Sequence, residues 1–266
     1  MNINKTTNKG TRVVLAFSGG LDTSYCVLEL NAQGYEVHTV FVDTGGLSVN
    51  EVDWIEKRAL SLGACKHHLL DASQLIWDEF VVPLVWSQSR MLGEYPMLCS
   101  DRYLIVRLCL QLCDELGTRH FAHGCTGMGN DQLRFDQTVR SLGDYEIHAP
   151  VRDLQKQPGN IREIEIGLLK NAGVSVPEKT GKYSINENLL GVTISGSEID
   201  CFEAPGEDTW QLSRPRAEWP AARLRVSICF EKGIAVAIDG KHMTGPGILQ
   251  QLNSQFGRYG VGRHIY

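Results

Sequence analysis

The stretch LAFSGGLDTSYC, Leu15 to Cys26, runs an apolar strand into Ser-Gly-Gly and restarts as a helix through hydroxyls and an aspartate. A chain that turns this way leaves the first backbone N–H groups of the helix without carbonyl partners, at the positive end of the helix dipole. Such an end is a ready anion cradle. Gly19 and Gly20 let the backbone approach a ligand with no Cβ in the way, and Ser18, Thr23 and Ser24 add hydroxyl donors. Nothing matches GxxxxGK[ST], so the lysine of a γ-phosphoryl-transfer loop is missing. A hydroxyl-rich, lysine-poor loop suits the departing pyrophosphate of an adenylation better. Asp22 opposes phosphate unless Mg²⁺ intervenes or it caps the helix, so the residues alone give it no fixed role. A bare SGG reads equally as a tight turn before an N-capped helix.

Outward from that turn, strands and helices alternate. RVVLAF (12–17) is a strand, and LDTSYCVLELNAQG a helix that Gly34 closes. YEVHTVFV (35–42) is the next strand. Asn50 is placed to cap a helix through Leu62, CKHHLL (65–70) is a third strand, and LIWDEFVVPLVW a helix interrupted near Pro83. A helix from Ser100 or Asp101 to Leu116, a strand RHFAHG (119–124), a helix NDQLRFDQTVRSLG and a short strand YEIHAPV follow. This order predicts an α/β fold with a doubly wound parallel sheet, helices on both faces, over residues 11–173. Ligands of such sheets bind beyond the carboxyl ends of the strands. The loops 18–24, 43–48 and 123–131 should therefore converge on one rim. From 174 the character changes: residues 174–191 read as loop, LRVSICFEKGIAVAIDG as a hairpin turning at Lys232-Gly233, and Pro246 opens a last helix. Residues 174–266 are expected to form a partial second α+β domain, and residues 1–10 a flexible lead-in.

Composition narrows the function. The chain has 266 residues, 42% of them hydrophobic, enough for a sizeable core. Its net charge of -5, with no long lysine-arginine run, gives nucleic acid no broad phosphate-contacting face. The polar start is no signal peptide, and no apolar run is long enough to span a bilayer. Eight cysteines without a CxxC pair point to reduced thiols in a cytoplasmic chain. Cys109 and Cys113, four apart, read as packing on one helix face. His67, His68 and His148 read as strand residues with nothing beside them to make a metal triad, and His123 as a residue that orients the loop it precedes.

The second loop, GCTGMGNDQLR, offers close approach at three glycines, and Thr126, Asn130, Asp131 and Arg134 supply a donor, an amide, a carboxylate and a cation. By itself it reads as well as an N-capped helix with a surface arginine. Beside SGGLDTS it gains weight, because that stretch resembles the PP-loop of the N-type ATP pyrophosphatases, in the version of the argininosuccinate synthase family. HGCTGMGNDQLRF (123–135), EYPMLCS (94–100) and YSINENLLG (183–191) resemble further segments of the same family, in order, over some three quarters of the chain.

The resemblance implies an adenine nucleotide alpha hydrolase-like fold. It also implies ATP-dependent joining of citrulline and aspartate to argininosuccinate through a citrulline-adenylate, with release of AMP and pyrophosphate. Ala16, Phe17, Ser18, Gly19, Gly20, Leu21, Asp22, Thr23, Ser24, Thr39 and Gly124 would hold ATP and pyrophosphate, the last two by backbone. Thr126, Asn130 and Asp131 would hold aspartate; Tyr95, Ser100, Asn130, Arg134, Ser184 and Thr193 would hold citrulline, with threonine at 193 where the family has serine. Ser18 and Asp131 are the catalytic candidates. Mg²⁺ is expected with the nucleotide, and no protein metal cage is visible.

Two departures stand out. Met128 replaces a lysine common in the family. The chain also stops at GRYGVGRHIY where the family continues with late citrulline contacts and a helix used in tetramer assembly, so a homo-oligomer (tetramer) is expected only if that segment exists. Two other readings remain open: a truncated, inactive nucleotide-binding module, and another PP-loop enzyme such as a tRNA sulfurtransferase using Cys99 or Cys125.

Overall fold

The computed structural model describes residues 8–46, 49–91, 93–94, 97–176, 183–201 and 203–265. The lead-in expected over 1–10 falls largely outside them. The described chain divides into two compact units, one formed by residues up to 43, 47–70 and 101–181, the other by 44–46, 71–100 and 182–266.

In the first unit, β1 (Arg12–Ala16) is flanked by β2 (Glu36–Asp43) and β4 (His120–Ala122), with β3 (Lys66–Asp71) and β5 (Glu146–His148) outermost. The β1–β2, β1–β4 and β4–β5 pairs are parallel, with Leu15 opposite Thr39 and Ala122. The chain winds outward from β1 on one side, then returns to β4 on the other. The reversal falls between β1 and β4, which is where a doubly wound sheet opens a crevice for ligand.

Helices cover both faces, as the alternation of strand side chains requires. Val13, Leu15 and Val37 pack in one buried cluster with Cys26, Val27 and Leu30 of α1 (Leu21–Ala32), Ile55 and Ala59 of α2 (Val49–Ser61), Val151 and Leu154 of α7 (Pro150–Leu154) and Leu169 of α8 (Ile161–Asn171). On the other face lie α5 (Asp101–Glu115) and α6 (Asn130–Leu142), where Phe121 stacks on Phe135. Cys109 and Cys113 of α5 are both buried, the packing role their spacing suggests. Gly34 closes α1 at φ +93°. Asn50 is not a cap: α2 has already begun at Val49, so Asn50 lies in its first turn.

The second unit holds the interrupted helix. It runs as α3 (Ser73–Ile76), a π-helical segment over Trp77–Val81 and α4 (Val82–Ser87). Pro83 has no N–H for the ladder and crowds the carbonyl four residues back, and the wider π turn just before it accommodates both defects. Residues 184–195 correct the sequence reading of a loop. They form a hairpin of β6 (Ser184–Asn188) and β7 (Gly191–Ser195). The expected hairpin is present as β8 (Ile228–Glu231) and β9 (Ile234–Ile238), with Lys232 and Gly233 at φ +50° and +80°, the signature of a type I′ turn. A short third strand, β10 (Lys241–His242), extends it, and α9 (Gly245–Gly257) follows with Thr244 as N-cap and Pro246 in its first turn.

Candidate functional site

The SGGLDTS turn sits at the reversal of the sheet. Gly19, at φ +77°, is buried, and a Cβ there would lie 2.9 Å from the Trp54 ring, so only glycine fits both the backbone and the space. Gly20 is the N-cap of α1 and no side chain caps that end, which leaves the first-turn N–H groups facing the turn. Ser18 is exposed; its Oγ lies 3.3 Å from Thr23 Oγ1, and it accepts from the Gly20 N–H at 3.4 Å. Ser24 is different. It is fully buried, donates to the Gly20 carbonyl at 2.6 Å and accepts from Arg58 Nε at 2.8 Å, so its hydroxyl braces the loop from below.

Arg58 is a buried cation that sequence reasoning missed. Its Nη1 donates to the Ser175 carbonyl, and Trp54 lies under its guanidinium, 5.4 Å from the ring centroid. Burial lowers its pKa. Asp22 was equally hard to place from sequence. It does not cap α1; it faces Glu165 of α8, which is 2% exposed. Burial, then the neighbouring Asp22 carboxylate, raises the Glu165 pKa, and burial raises that of Asp22 as well, so the two carboxyls hold one proton between them. One negative charge, not two, therefore lies at the start of α1.

The second loop comes against the first. A Cβ at Gly124 would lie 3.0 Å from Thr23 Cγ2 and 3.2 Å from the Thr23 nitrogen, so the missing side chain permits the contact. His123 is 1% exposed. It accepts from the Cys125 N–H at Nδ1, which makes Nε2 the protonated nitrogen that donates to Asp136 at 3.0 Å. Asp136 also accepts from Arg152 at 2.8 Å; although burial pushes its pKa up, these bonds outweigh it and hold the carboxyl down at about 2. His123 thus anchors this loop.

The charged residues that open α6 are already paired. Arg134 Nη1 reaches Asp131 at 2.6 Å, and Arg102 Nε and Nη2 reach the other oxygen of Asp131, both at 3.2 Å. Arg102 also grips Asp101, 1% exposed, through Nη1 at 2.8 and 2.7 Å. Burial alone would lower the Arg102 pKa, but Asp101 and Asp131 raise it. The spacing that sets Asn130 and Arg134 on one face is real, yet the partner of Arg134 is Asp131. Asn130 is exposed and Thr126 half-buried. Met128 is 89% exposed.

Thr39 is fully buried with its hydroxyl 2.9 Å from His67 Nδ1, which leaves it only backbone to offer. Ala16, Phe17 and Leu21 are buried beneath the turn. In the second unit, Ser184 and Thr193 stand on β6 and β7 opposite Ser195 and Asn186, hence on one face of the hairpin, and both are exposed. Ser100 is buried, and its hydroxyl has no hydrogen-bond partner among the described residues. Tyr95 lies outside the described residues. Of the three loops expected on one rim, 18–24 and 123–131 meet; residues 44–46 cluster with the second unit, and 47–48 are not described.

One histidine expectation needs correcting. His148 does not stand alone: His120 and Glu146 lie beside it, and His68 contacts His38 at 3.1 Å.

Comparison with known proteins covers both parts of the chain. Residues 12–174 match the family model described as "Arginosuccinate synthase N-terminal HUP domain", and 183–265 match that of the C-terminal domain. The chain is 54% identical over 254 residues to an argininosuccinate synthase of Xanthomonas campestris, covering 96% of this chain and 64% of the relative. It is 54% identical to that of Xylella fastidiosa, covering 96% and 63%. Against that of Methanocaldococcus jannaschii the identity is 36%, covering 94% and 62%. The chain thus spans less than two thirds of the length of these curated relatives. With one model matching more than half of its residues, across the unit that carries the SGGLDTS turn, the chain belongs to the argininosuccinate synthase family.

Proposed function

We propose that this chain carries the nucleotide-activating part of an ATP-dependent ligation of citrulline and aspartate to argininosuccinate. The reaction would proceed through a citrulline-adenylate and release AMP and pyrophosphate. One observation carries the reading: uncapped first-turn donors of α1 and the Ser18 and Thr23 hydroxyls stand together where Gly124 brings the second loop into contact. Donors fixed before the reaction stabilise the charge that develops on departing phosphates without having to reorganise. Ser18, exposed and held by Thr23, is the hydroxyl placed to meet them. Ser24 is spent on Arg58 and keeps the turn in shape.

The ureido oxygen of citrulline is a poor leaving group, which is why activation as an adenylate must precede attack by the aspartate amine. Asp131, oriented by Arg102 and Arg134, is the carboxylate available to that amine. Arg134 serves citrulline only after loosening its bond to Asp131. Mg²⁺ would supply charge neutralisation on the triphosphate, whose own oxygens are its ligands. Asp22 is the only carboxylate of the turn and faces Glu165, so no protein cage is assigned.

The test is purified chain with ATP, Mg²⁺, citrulline and labelled aspartate. Pyrophosphate release that requires citrulline supports the reading. Tight ATP binding without such release overturns it for this chain and leaves a nucleotide-binding module. Burial pushes the Cys125 thiol up to about 12, a poor state for persulfide chemistry, so Cys125→Ala is expected to retain ligation, whereas a sulfurtransferase would be silenced. No described helix is long and apolar enough to cross a membrane. A cytoplasmic location without nucleic acid belongs to the same proposal, and a tetramer belongs to it only if the family's C-terminal segment exists; light scattering of the purified protein reads the oligomeric state.

A further inference from the structure

The geometry points to a divalent transition-metal site, suited to Zn²⁺, formed by His120, Glu146 and His148 on the edge pair of strands β4 and β5. His120 Nδ1 and His148 Nε2 lie 3.0 Å apart in a hydrogen bond, which a bound ion would replace by turning both lone pairs to itself. One oxygen of Glu146 is 3.4 Å from His120 Nδ1, and the other is 3.7 Å from His148 Nε2. Tetrahedral zinc with bonds of about 2.0–2.1 Å sets its ligand atoms about 3.3 Å apart. The three separations bracket that value, although the carboxylate reaches His120 through one oxygen and His148 through the other, so the third corner forms when Glu146 turns. A small turn of the exposed Glu146 side chain, 63% accessible, places one oxygen at equal reach of both rings. Two imidazoles and a carboxylate with an open fourth corner is a donor set that zinc takes with a water.

The rings are held before any ion arrives. His120 and Glu146 sit opposite each other in register, and His148 follows two residues along on the same face of its strand. The buried Tyr35 ring packs against both imidazoles, with centroids 5.6 and 5.1 Å away, and limits their rotation. Fixed ligands on strands favour selective binding over ligands carried on loops.

A second group, Glu36, His38 and Cys65, is the natural rival. There the carboxylate is already engaged, accepting from the Cys65 thiol at 3.3 Å, contacting His38 Nε2 at 3.3 Å and pairing with Arg12 Nε at 3.7 Å. A metal ion would have to displace that cation. At the His120 group the charged side chain acting on His148 besides its two co-ligands is Asp153, an acid that favours a cation. The site stands on strand β5 and the first residue of β4, apart from the loop that follows Ala122. Its readout therefore needs no ligase activity.

The experiment uses the untagged full chain, stripped with chelator and titrated with Zn²⁺ by calorimetry and with Co²⁺ by visible absorption. The expected result is one equivalent bound saturably, with tetrahedral cobalt bands that lack a thiolate charge-transfer feature. His148→Gln and His120→Gln should each weaken binding at least about tenfold. Glu146→Gln changes only an exposed side chain, so it folds like the parent, and it should also weaken binding about tenfold. Cys65→Ser should bind as the parent does. No saturable binding by the parent overturns the inference, as does undiminished binding by Glu146→Gln. A cobalt–thiolate band that disappears in Cys65→Ser also overturns it, by assigning the ion to the rival group.

Discussion

Residues 18–24 and residues 123–136 each follow a central strand and open a helix, yet they treat charge in opposite ways. The first turn holds its donors only in long mutual contacts, Ser18 N–H and Oγ against Thr23 Oγ1 and the Gly20 N–H against Ser18 Oγ at 3.3–3.4 Å, and its one acid, Asp22, faces Glu165. In the second, the charges are committed in advance, with Asp131 between two arginines and Asp136 between His123 and Arg152. An anion on the first displaces only long hydroxyl contacts of 3.3–3.4 Å and no ion pair of the turn's donors. On the second, a ligand must trade against an existing ion pair, which makes recognition more demanding and more selective.

The sharpest way to break this contrast is Arg102→Ala. It strands the buried Asp101 beside Asp131 without a cation, and the expected loss of stability is about 3–5 kcal/mol by urea unfolding. If unfolding is unchanged, the second loop is not held by its charges. Gly124→Val comes next, because the new side chain must push against the Thr23 backbone. Under the proposed function, displacing the donors of the first turn is expected to lower pyrophosphate release about a hundredfold, with stability less affected.

A third measurement follows pH. The Asp136 carboxyl is held at about 2 when folded, below the ordinary value of ~3.9 that it regains when unfolded. A depressed carboxylate contributes stability in full above the unfolded value and loses it as pH falls from about 4 toward 2. The contribution is about 2 kcal/mol. Asp136→Asn should flatten the pH dependence of stability in that window, and a variant that still loses stability there as steeply as the parent contradicts the assignment. The smallest effect belongs to Met128→Lys. Its side chain is 89% exposed, so stability should move by less than about 0.5 kcal/mol. A rise of a few-fold in nucleotide affinity would show that ligand reaches this exposed edge of the second loop.

Local rules made much of the fold readable. The glycine after α1, the Lys232-Gly233 turn and the proline opening α9 are positions where backbone conformation dictates residue type, and each stands where the sequence places it. The β6–β7 hairpin was opaque for the same reason in reverse. Its first strand carries Asn186, Glu187 and Asn188, poor β-formers, and its turn uses Leu189 and Leu190 instead of a glycine pair. At the candidate site the loops themselves were legible, because glycine and hydroxyl spacing is local. Arg58, Arg102 and Glu165 were not. Each reads in sequence as an ordinary charged residue on a helix surface, and only the folded sheet carries it to Ser24, Asp131 or Asp22. His148 likewise shows its company only once β5 lies beside β4.

Trp77, in the π-helical segment, is 8% exposed, and its ring lies where any Cβ on Gly245 would have to go. The two positions are separated by more than half the chain. During synthesis the indole therefore lacks this contact until α9 has been made, while residues between them are already free to fold. The second unit, which joins 71–100 to residues beyond 182, thus cannot complete its packing around Trp77 before residue 245 is made.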